Sequence, residues 1–391
     1  MTFLSHSPKT PESHASPGVG VRLTYLAVDS VEEGIGASQV LAYVERMPPH
    51  DVQVTLHTFE KTARSISATA QRLGAAGVEW HPLPFGRRGT LGGLGRIARA
   101  AFRIRGAEMV HARSDLAGAA AMLARPRRWI WDARSLYADQ KIELGELKSG
   151  SPQEVLLRRI ERACALQSDA IVVLTEAGLE VLVDRYGKDL TQKATVVPTC
   201  VDLGRFELSP LPELPTRFLL AGTINSFYDV PAMMSFFRRF REGSAAELHV
   251  VTPGPTRWDT ELAQLATSRS VARPEDMPAL IAASHVGLCV CRDDAGISLA
   301  ASMPTKIAEF LATGRPLVVN SKLGDAGGML EAHGAGVALR SGSDGLILAV
   351  DQLRELLRDP ETPLRCRALA EEHFDLEVAV KKLVNVYRSL G

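Results

Sequence analysis

Short apolar runs alternate along this chain with longer segments whose apolar residues recur every third or fourth position, the pattern of strands and amphipathic helices taking turns. Arg22 to Val28 predicts a strand, followed by a loop over Asp29 to Gln39 and a helix through Val40, Leu41 and Val44. Further strands are expected at Val52–Phe59, Val78–Leu83, Met109–His111, Trp129–Trp131 and Ala170–Leu174, with helices at Ala63–Leu73, Leu91–Ile104, Leu116–Leu123, Pro152–Gln167 and Glu176–Tyr186. A second series opens at Phe218–Gly222 and continues with strands at Glu247–Thr252, Ser270–Ala272, Val286–Cys291 and Leu317–Asn320, and helices near 229–241, 258–267, 275–284 and 304–313. After Leu346 the tail reads as helical apart from Pro360 and Pro363, and Leu376–Leu390 is amphipathic. Such alternation predicts an α/β chain with parallel sheets covered on both faces.

At 391 residues the chain is long for one core, and Pro210, Pro212 and Pro215 mark a break. The reading is a disordered leader over 1–19, a Rossmann-like domain over 20–200, a linker over 201–215, a second Rossmann-like domain over 216–375 and a final helix over 376–391. The apolar and charged shares, 46% and 23%, are those of a globular protein, and a net charge of zero gives no global case for nucleic acid as a partner. No apolar run is long enough for a transmembrane segment, and 1–19 lacks the pattern of a signal peptide. A cytoplasmic setting is expected, with room for peripheral contact on the inner face of a membrane. The five scattered cysteines fit a reduced compartment. Cys289 and Cys291 share one strand face and read as buried small hydrophobes, and Asp293-Asp294 reads as a solvated loop, so no metal site is expected.

Chemistry concentrates first in 302–316. Pro304 and Thr305 open a short helix, Gly314 and Pro316 close it, and Ile307, Phe310 and Leu311 give it a core-facing side. Its free amides, with Lys306, suit a diphosphate, and Glu309 one turn on can accept from two neighbouring hydroxyls, as on a ribose. An ion pair between Lys306 and Glu309 on a solvated face is the other reading. Gly34 and Gly36 follow the first strand, as a phosphate-approach loop or a tight turn without a ligand. His111 and Arg113 end one strand. Asp132-Ala133-Arg134 ends another and opens a polar stretch to about Ser151, in which Arg134 can bind an anion and Asp139 can orient a sugar hydroxyl, unless such loop residues bond each other. Thr175, also at a strand end, reads as a helix cap or a substrate contact.

Two doubly wound domains, the segment Val197-Pro198-Thr199-Cys200-Val201-Asp202-Leu203-Gly204-Arg205-Phe206, the loop Gly34-Ile35-Gly36-Ala37-Ser38-Gln39 and the helix at 304–313 together resemble glycosyltransferase family 4, retaining enzymes of the GT-B fold. The resemblance spans about 20–390. It implies transfer of a sugar from a nucleotide-sugar donor to a glycan, lipid-linked or small-molecule acceptor, without a metal cofactor. It implies donor contacts from Gly34, Gly36, Thr223, Asn225, Arg273, Pro304, Thr305, Lys306 and Glu309, catalytic roles for Lys306, Arg134 and Asp139, and acceptor-side positions for Gln39, His111, Arg113 and Thr175. It also implies that the final helix crosses back to the first domain. Two departures stand out: Ala301 occupies the place of a second glutamate, and 222–228 lacks the family's usual arginine and lysine. A sugar-nucleotide epimerase or non-glycosidic coupling enzyme on the same fold, and a non-catalytic sugar binder, are the alternative readings.

Overall fold

The computed structural model describes residues 20–31, 34–61, 66–87, 89–294 and 296–391, so the expected leader over 1–19 lies outside the described residues. Seven parallel strands form the first sheet: β1 (Val21–Ala27), β2 (Val52–Glu60), β3 (Val78–Pro84), β4 (Met109–Arg113), β5 (Arg128–Ala133), β6 (Ala170–Val173) and β7 (Ala194–Val196), in the order β3-β2-β1-β4-β5-β6-β7. Six more form the second: β8 (Thr216–Ala221), β9 (Ala246–Val251), β10 (Ser268–Ser270), β11 (Val286–Cys289), β12 (Leu317–Asn320) and β13 (Gly336–Leu339), in the order β10-β9-β8-β11-β12-β13. Both are doubly wound, and the strand order reverses between β1 and β4 and between β8 and β11. Crevices for ligands open there, beyond the carboxyl ends of the strands.

Strands buried on both faces must be apolar throughout, and β6 and β12 are buried at every position. The second core is held on one side by Phe218, whose ring meets Phe236, Phe237 and Phe240 edge-on at 6.4, 5.5 and 4.9 Å. Arg315 is fully buried and, among the described residues, pairs with no carboxylate; its guanidinium donates to the carbonyls of Ser209, Pro210, Ala282, Ser284 and Thr313 and to Ser209 Oγ. Burial lowers its pKa to about 10. One side chain thereby fastens the proline-bearing segment to the second domain.

The helix Leu376–Leu390 packs on the first sheet, where Leu376, Val380, Leu383, Val384 and Tyr387 share a core with Leu23, Tyr25 and Val54. The chain reaches it by pairing Asp375 with Val201 as an isolated parallel bridge.

Several boundaries differ from the sequence reading. The helix after β1 starts at Gly34, not at Val40, and contains a π-helical turn over Ala37–Leu41, so the two glycines lie in its first turn. The third strand of the second domain is Ser268–Ser270, not Ser270–Ala272. Strand β13 and the helices Tyr137–Glu143 and Ala326–Ala332 were not foreseen. All five cysteines are free and buried, and Cys289 joins Cys291 in one core cluster.

Candidate functional site

The helix Thr305–Ala312 runs between β11 and β12, so its N-terminus stands at the carboxyl edge of the second sheet, beside the reversal point. Pro304, extended at φ −60°, ψ 132°, occupies the cap position, and no side chain caps the amides that follow. Ile307, Phe310 and Leu311 are buried against the sheet and hold the helix in place.

Lys306 and Glu309 do not pair with each other. Lys306 lays its ammonium 4.2 Å from the centre of the Tyr228 ring, a cation–π contact. Tyr228 is held there by a bridge to Cys291. The amine also sits over Gly222, only 3.6 Å from where a Cβ would stand; at φ +98° that position favours glycine. Lys306 therefore spans from the helix after β11 to the end of β8, across the reversal point. Burial works to lower its pKa, but Tyr228, Cys289 and Cys291 outweigh it and the value rises to about 12. The cation persists at every physiological pH.

Glu309 is half-buried, and among the described residues no group donates to its carboxylate. Burial pushes its pKa up against the pull of Lys306 and Arg205. An acceptor-only group, partly desolvated and unsatisfied, is poised for donors from outside the chain.

The 222–228 stretch supplies a turn: Asn225 Oδ1 accepts from the Phe227 amide at 3.0 Å, and Thr223 and Asn225 are exposed beside Gly222. Arg273 lies apart, 72% exposed and forked onto Asp276 at 3.0–3.1 Å, and no contact brings it to Lys306 or Glu309.

In the first domain the two glycines divide. Gly34, at φ +49°, has open space where a Cβ would stand, whereas at Gly36 a Cβ would meet the Ser30 carbonyl oxygen at 2.2 Å. Gly36 is required for the helix to lie on its own loop, so its missing side chain does not leave room for a diphosphate. Gln39 is buried and donates to the Cys200 carbonyl at 3.0 Å, while its Oε1 has no partner. It is a tie to the interdomain segment rather than an exposed acceptor contact.

His111, expected at the acceptor side, is 1% exposed. It is stacked on Tyr25 at 4.3 Å and bonded through Nε2 to Asp132 at 3.2 Å and through Nδ1 to the Tyr387 hydroxyl at 3.0 Å. Arg113 and Arg134 each reach Asp132 at 3.4 Å. Although burial alone would raise the Asp132 pKa, Arg134, His111 and Arg113 hold it below the usual carboxylate range. Arg134 keeps spare donors within the cluster, because its Nε and Nη2 are buried without partners.

Asp139 does not have the freedom a catalytic group needs. Arg158 donates to both of its oxygens at 2.5 and 2.7 Å and Arg185 at 2.9 and 3.0 Å, in a network that continues to Glu161 and Tyr186. Every strong acceptor direction is taken. Asp139 therefore holds helices together and carries no catalytic role in this arrangement.

Thr175 caps the helix Glu176–Tyr186, accepting from Gly178 N at 3.0 Å, and donates across to the Ala300 carbonyl of the second domain at 2.6 Å. It is thus an interdomain contact as well as a cap. Asp325 of the second domain accepts from the amides of Glu176 and Ala177 at 2.7 and 3.0 Å. Glu143 accepts from the Ser298 amide at 3.2 Å and from its hydroxyl. Ala301 is buried in the same contact, so close to Gly178 that a Cβ on that glycine would lie 2.9 Å from Ala301 Cα. Sequence reasoning had given no role to Tyr228, Asp325, Glu143 or Arg205. Tyr228 lies in 222–228, Glu143 in the polar stretch to about Ser151 and Arg205 in the segment 197–206, whereas Asp325 lies in none of them.

Of the acidic pair, Asp293 accepts from Asn320 at 3.3 Å and Ser341 at 2.6 Å, and Asp294 pairs with Arg292 at 2.7 Å. Among the described residues the ligating atoms of His333, Glu372 and His373 lie within 4.8 Å of one another, a grouping that includes none of the residues around Lys306.

No curated protein sequence matches the chain. Among solved structures, sucrose-phosphate synthase from Thermosynechococcus elongatus aligns over 95% of this chain and 99% of its own at 13% identity, with a TM-score of 0.71. Anabaena HepE, solved in complex with UDP-glucose, aligns over 94% of this chain and all of its own at 14% identity, TM-score 0.66. The lipopolysaccharide outer core galactosyltransferase WaaB covers 94% of this chain and 99% of its own at 13% identity, TM-score 0.63. At such identities the likeness is one of fold. Residues 34–200 match the glycosyl transferase 4-like domain, and the two facing doubly wound sheets give the chain the GT-B fold that these structures share.

Proposed function

We propose that this chain moves a sugar from a nucleoside diphosphate sugar to an acceptor hydroxyl, with retention at the anomeric carbon and without a metal ion. The observation that carries this reading is Glu309, a partly desolvated carboxylate with no donor among the described residues, one turn beyond an uncapped helix end that also bears Lys306. Two ribose hydroxyls satisfy the first, and a diphosphate suits the second. The complex of Anabaena HepE with UDP-glucose supports a donor of this class.

In the reaction the bond from the anomeric carbon to the diphosphate oxygen breaks with its electron pair leaving on oxygen. The acceptor oxygen bonds to that carbon on the same face, and the acceptor proton passes to the departing diphosphate. Charge builds on the leaving group, and preorganised positive charge is what such a step needs most. Lys306, fixed on Tyr228, supplies it in place of the cations missing from 222–228. Arg134, with two unpartnered nitrogens, is a second cation for an anionic group of donor or acceptor. The acceptor is a glycan, lipid-linked or small-molecule hydroxyl in the cytoplasm.

Ala301 favours a second reading, because no carboxylate stands where a donor sugar is usually held: an epimerase acting on the nucleotide sugar. Incubation with donor alone separates the two, since only an epimerase changes it. The nucleotide is tested by thermal shift with UDP, GDP, ADP, TDP and CMP, where a ligand at about 100 times its Kd stabilises by roughly 2.7 kcal/mol. Absence of any shift across the panel overturns the donor site.

A further inference from the structure

Three helices of the first domain lie side by side: Gly89–Arg103, Asp115–Ala124 and Pro152–Gln167, with the second packed between the other two. Their outward surface gathers large exposed apolar side chains. On the first helix Leu91, Leu94 and Phe102 are 80%, 47% and 76% exposed, at spacings that put them on one stripe about 16 Å long at 1.5 Å per residue. Leu123 on the second helix and Leu156 and Leu166 on the third are exposed as well.

Arginines dominate the charge on this surface, where Glu108 is an exposed acid. The segment 86–107 contains six arginines and no acid, in a chain whose net charge is zero. Arg103, Arg105, Arg125, Arg127, Arg159 and Arg162 are exposed, and among the described residues none has a carboxylate partner. The acids of the three helices are withdrawn: Asp115 and Glu161 are buried, and Glu154 pairs with Arg158.

We propose that this three-helix face docks on an anionic lipid bilayer. Leucine and phenylalanine side chains spread among unpaired arginines, over a helical layer, match a surface that offers acyl chains beneath negative headgroups. An acidic protein would satisfy the arginines and leave the apolar stripe unexplained. The first helix begins just after β3 at the carboxyl edge of the sheet, the edge that also carries Gly34 and Arg134, so docking holds the rim of the cleft against lipid. The inference does not depend on glycosyl transfer, because binding is read with no donor present.

The test is vesicle flotation of the full chain with mixed phosphatidylglycerol–phosphatidylcholine vesicles and with pure phosphatidylcholine. The chain is expected to float with the anionic vesicles only, less so as ionic strength rises. R159Q/R162Q should weaken binding about fivefold for each arginine removed. L91S/F102S should abolish flotation while keeping the wild-type thermal midpoint, since both side chains are exposed. Equal flotation with neutral vesicles overturns the proposal, as does undiminished flotation of L91S/F102S. A solution dimer that L91S/F102S converts to monomer assigns the face to a second copy of the chain and overturns it as well.

Discussion

Replacing Glu309 by glutamine separates binding from folding. The carboxylate makes no hydrogen bond among the described residues and burial already disfavours its charge, so Glu309→Gln should leave folding stability unchanged or raise it by up to about 1 kcal/mol. Its effect on a nucleotide is the opposite. Two charge-assisted hydrogen bonds from ribose hydroxyls are each worth about 1.5–3 kcal/mol, and the amide retains one acceptor while turning a donor toward the sugar. The expected loss is about 2–3 kcal/mol, or roughly 30- to 150-fold in Kd. Calorimetric titration of wild type and variant with the best nucleoside diphosphate and with its 2′,3′-dideoxy analogue closes a cycle in which the glutamine penalty belongs to the hydroxyls. On the analogue the penalty should fall below about threefold. Because the ionised form is the one that binds and its pKa is raised, wild-type affinity holds above that pKa and declines as pH falls through it. The glutamine variant should show no such decline. Equal affinity of the two proteins for the ribonucleotide, or an undiminished penalty on the dideoxy compound, refutes the ribose role.

Lys306→Ala should lower turnover by roughly two orders of magnitude, as for loss of one preorganised donor to a leaving group, and unchanged turnover in a donor-saturated assay removes it from the chemistry. Arg315→Met leaves five carbonyls without their donor, so chemical denaturation should show a loss of at least about 4 kcal/mol; a loss under about 1 kcal/mol contradicts the fastening role. Asp115, buried with Oδ2 unpartnered, has a pKa raised well above 3.8, chiefly by burial. Its protonated form therefore favours folding below the unfolded pKa, and that contribution disappears as pH rises through the folded one. Asp115→Asn should be more stable than wild type at pH 8 and converge with it near pH 4, as followed by urea unfolding; equal curves at pH 8 contradict this.

The sequence makes the α/β alternation and its strongest elements legible. Pro152–Gln167, Glu176–Tyr186 and Leu317–Asn320 are found at the residues read, because Ser151 and Thr175 cap the helices and the strand is a continuous apolar run. Strand β13 is not legible in the sequence because Gly336–Leu339 is four residues long, follows Gly334, and shows no alternation. The polar stretch after β5 concealed the helix Tyr137–Glu143, whose seven residues give too little periodicity. In the site, the pairing of glycine, lysine and glutamate types with a helix start was readable locally. The fate of Asp139 was not, since its partners Arg158 and Arg185 are 19 and 46 residues away and only the fold brings them near. His111 shows the same limit at larger range.

The Tyr387–His111 bond joins residues 276 apart, and the final helix covers a face of the first sheet that Leu23, Tyr25 and Val54 would otherwise expose. On a ribosome, where chains emerge from the N-terminus, the first domain therefore waits uncovered until the whole second domain has been made. Its completion is post-translational, and this surface is where a nascent chain would call on chaperones.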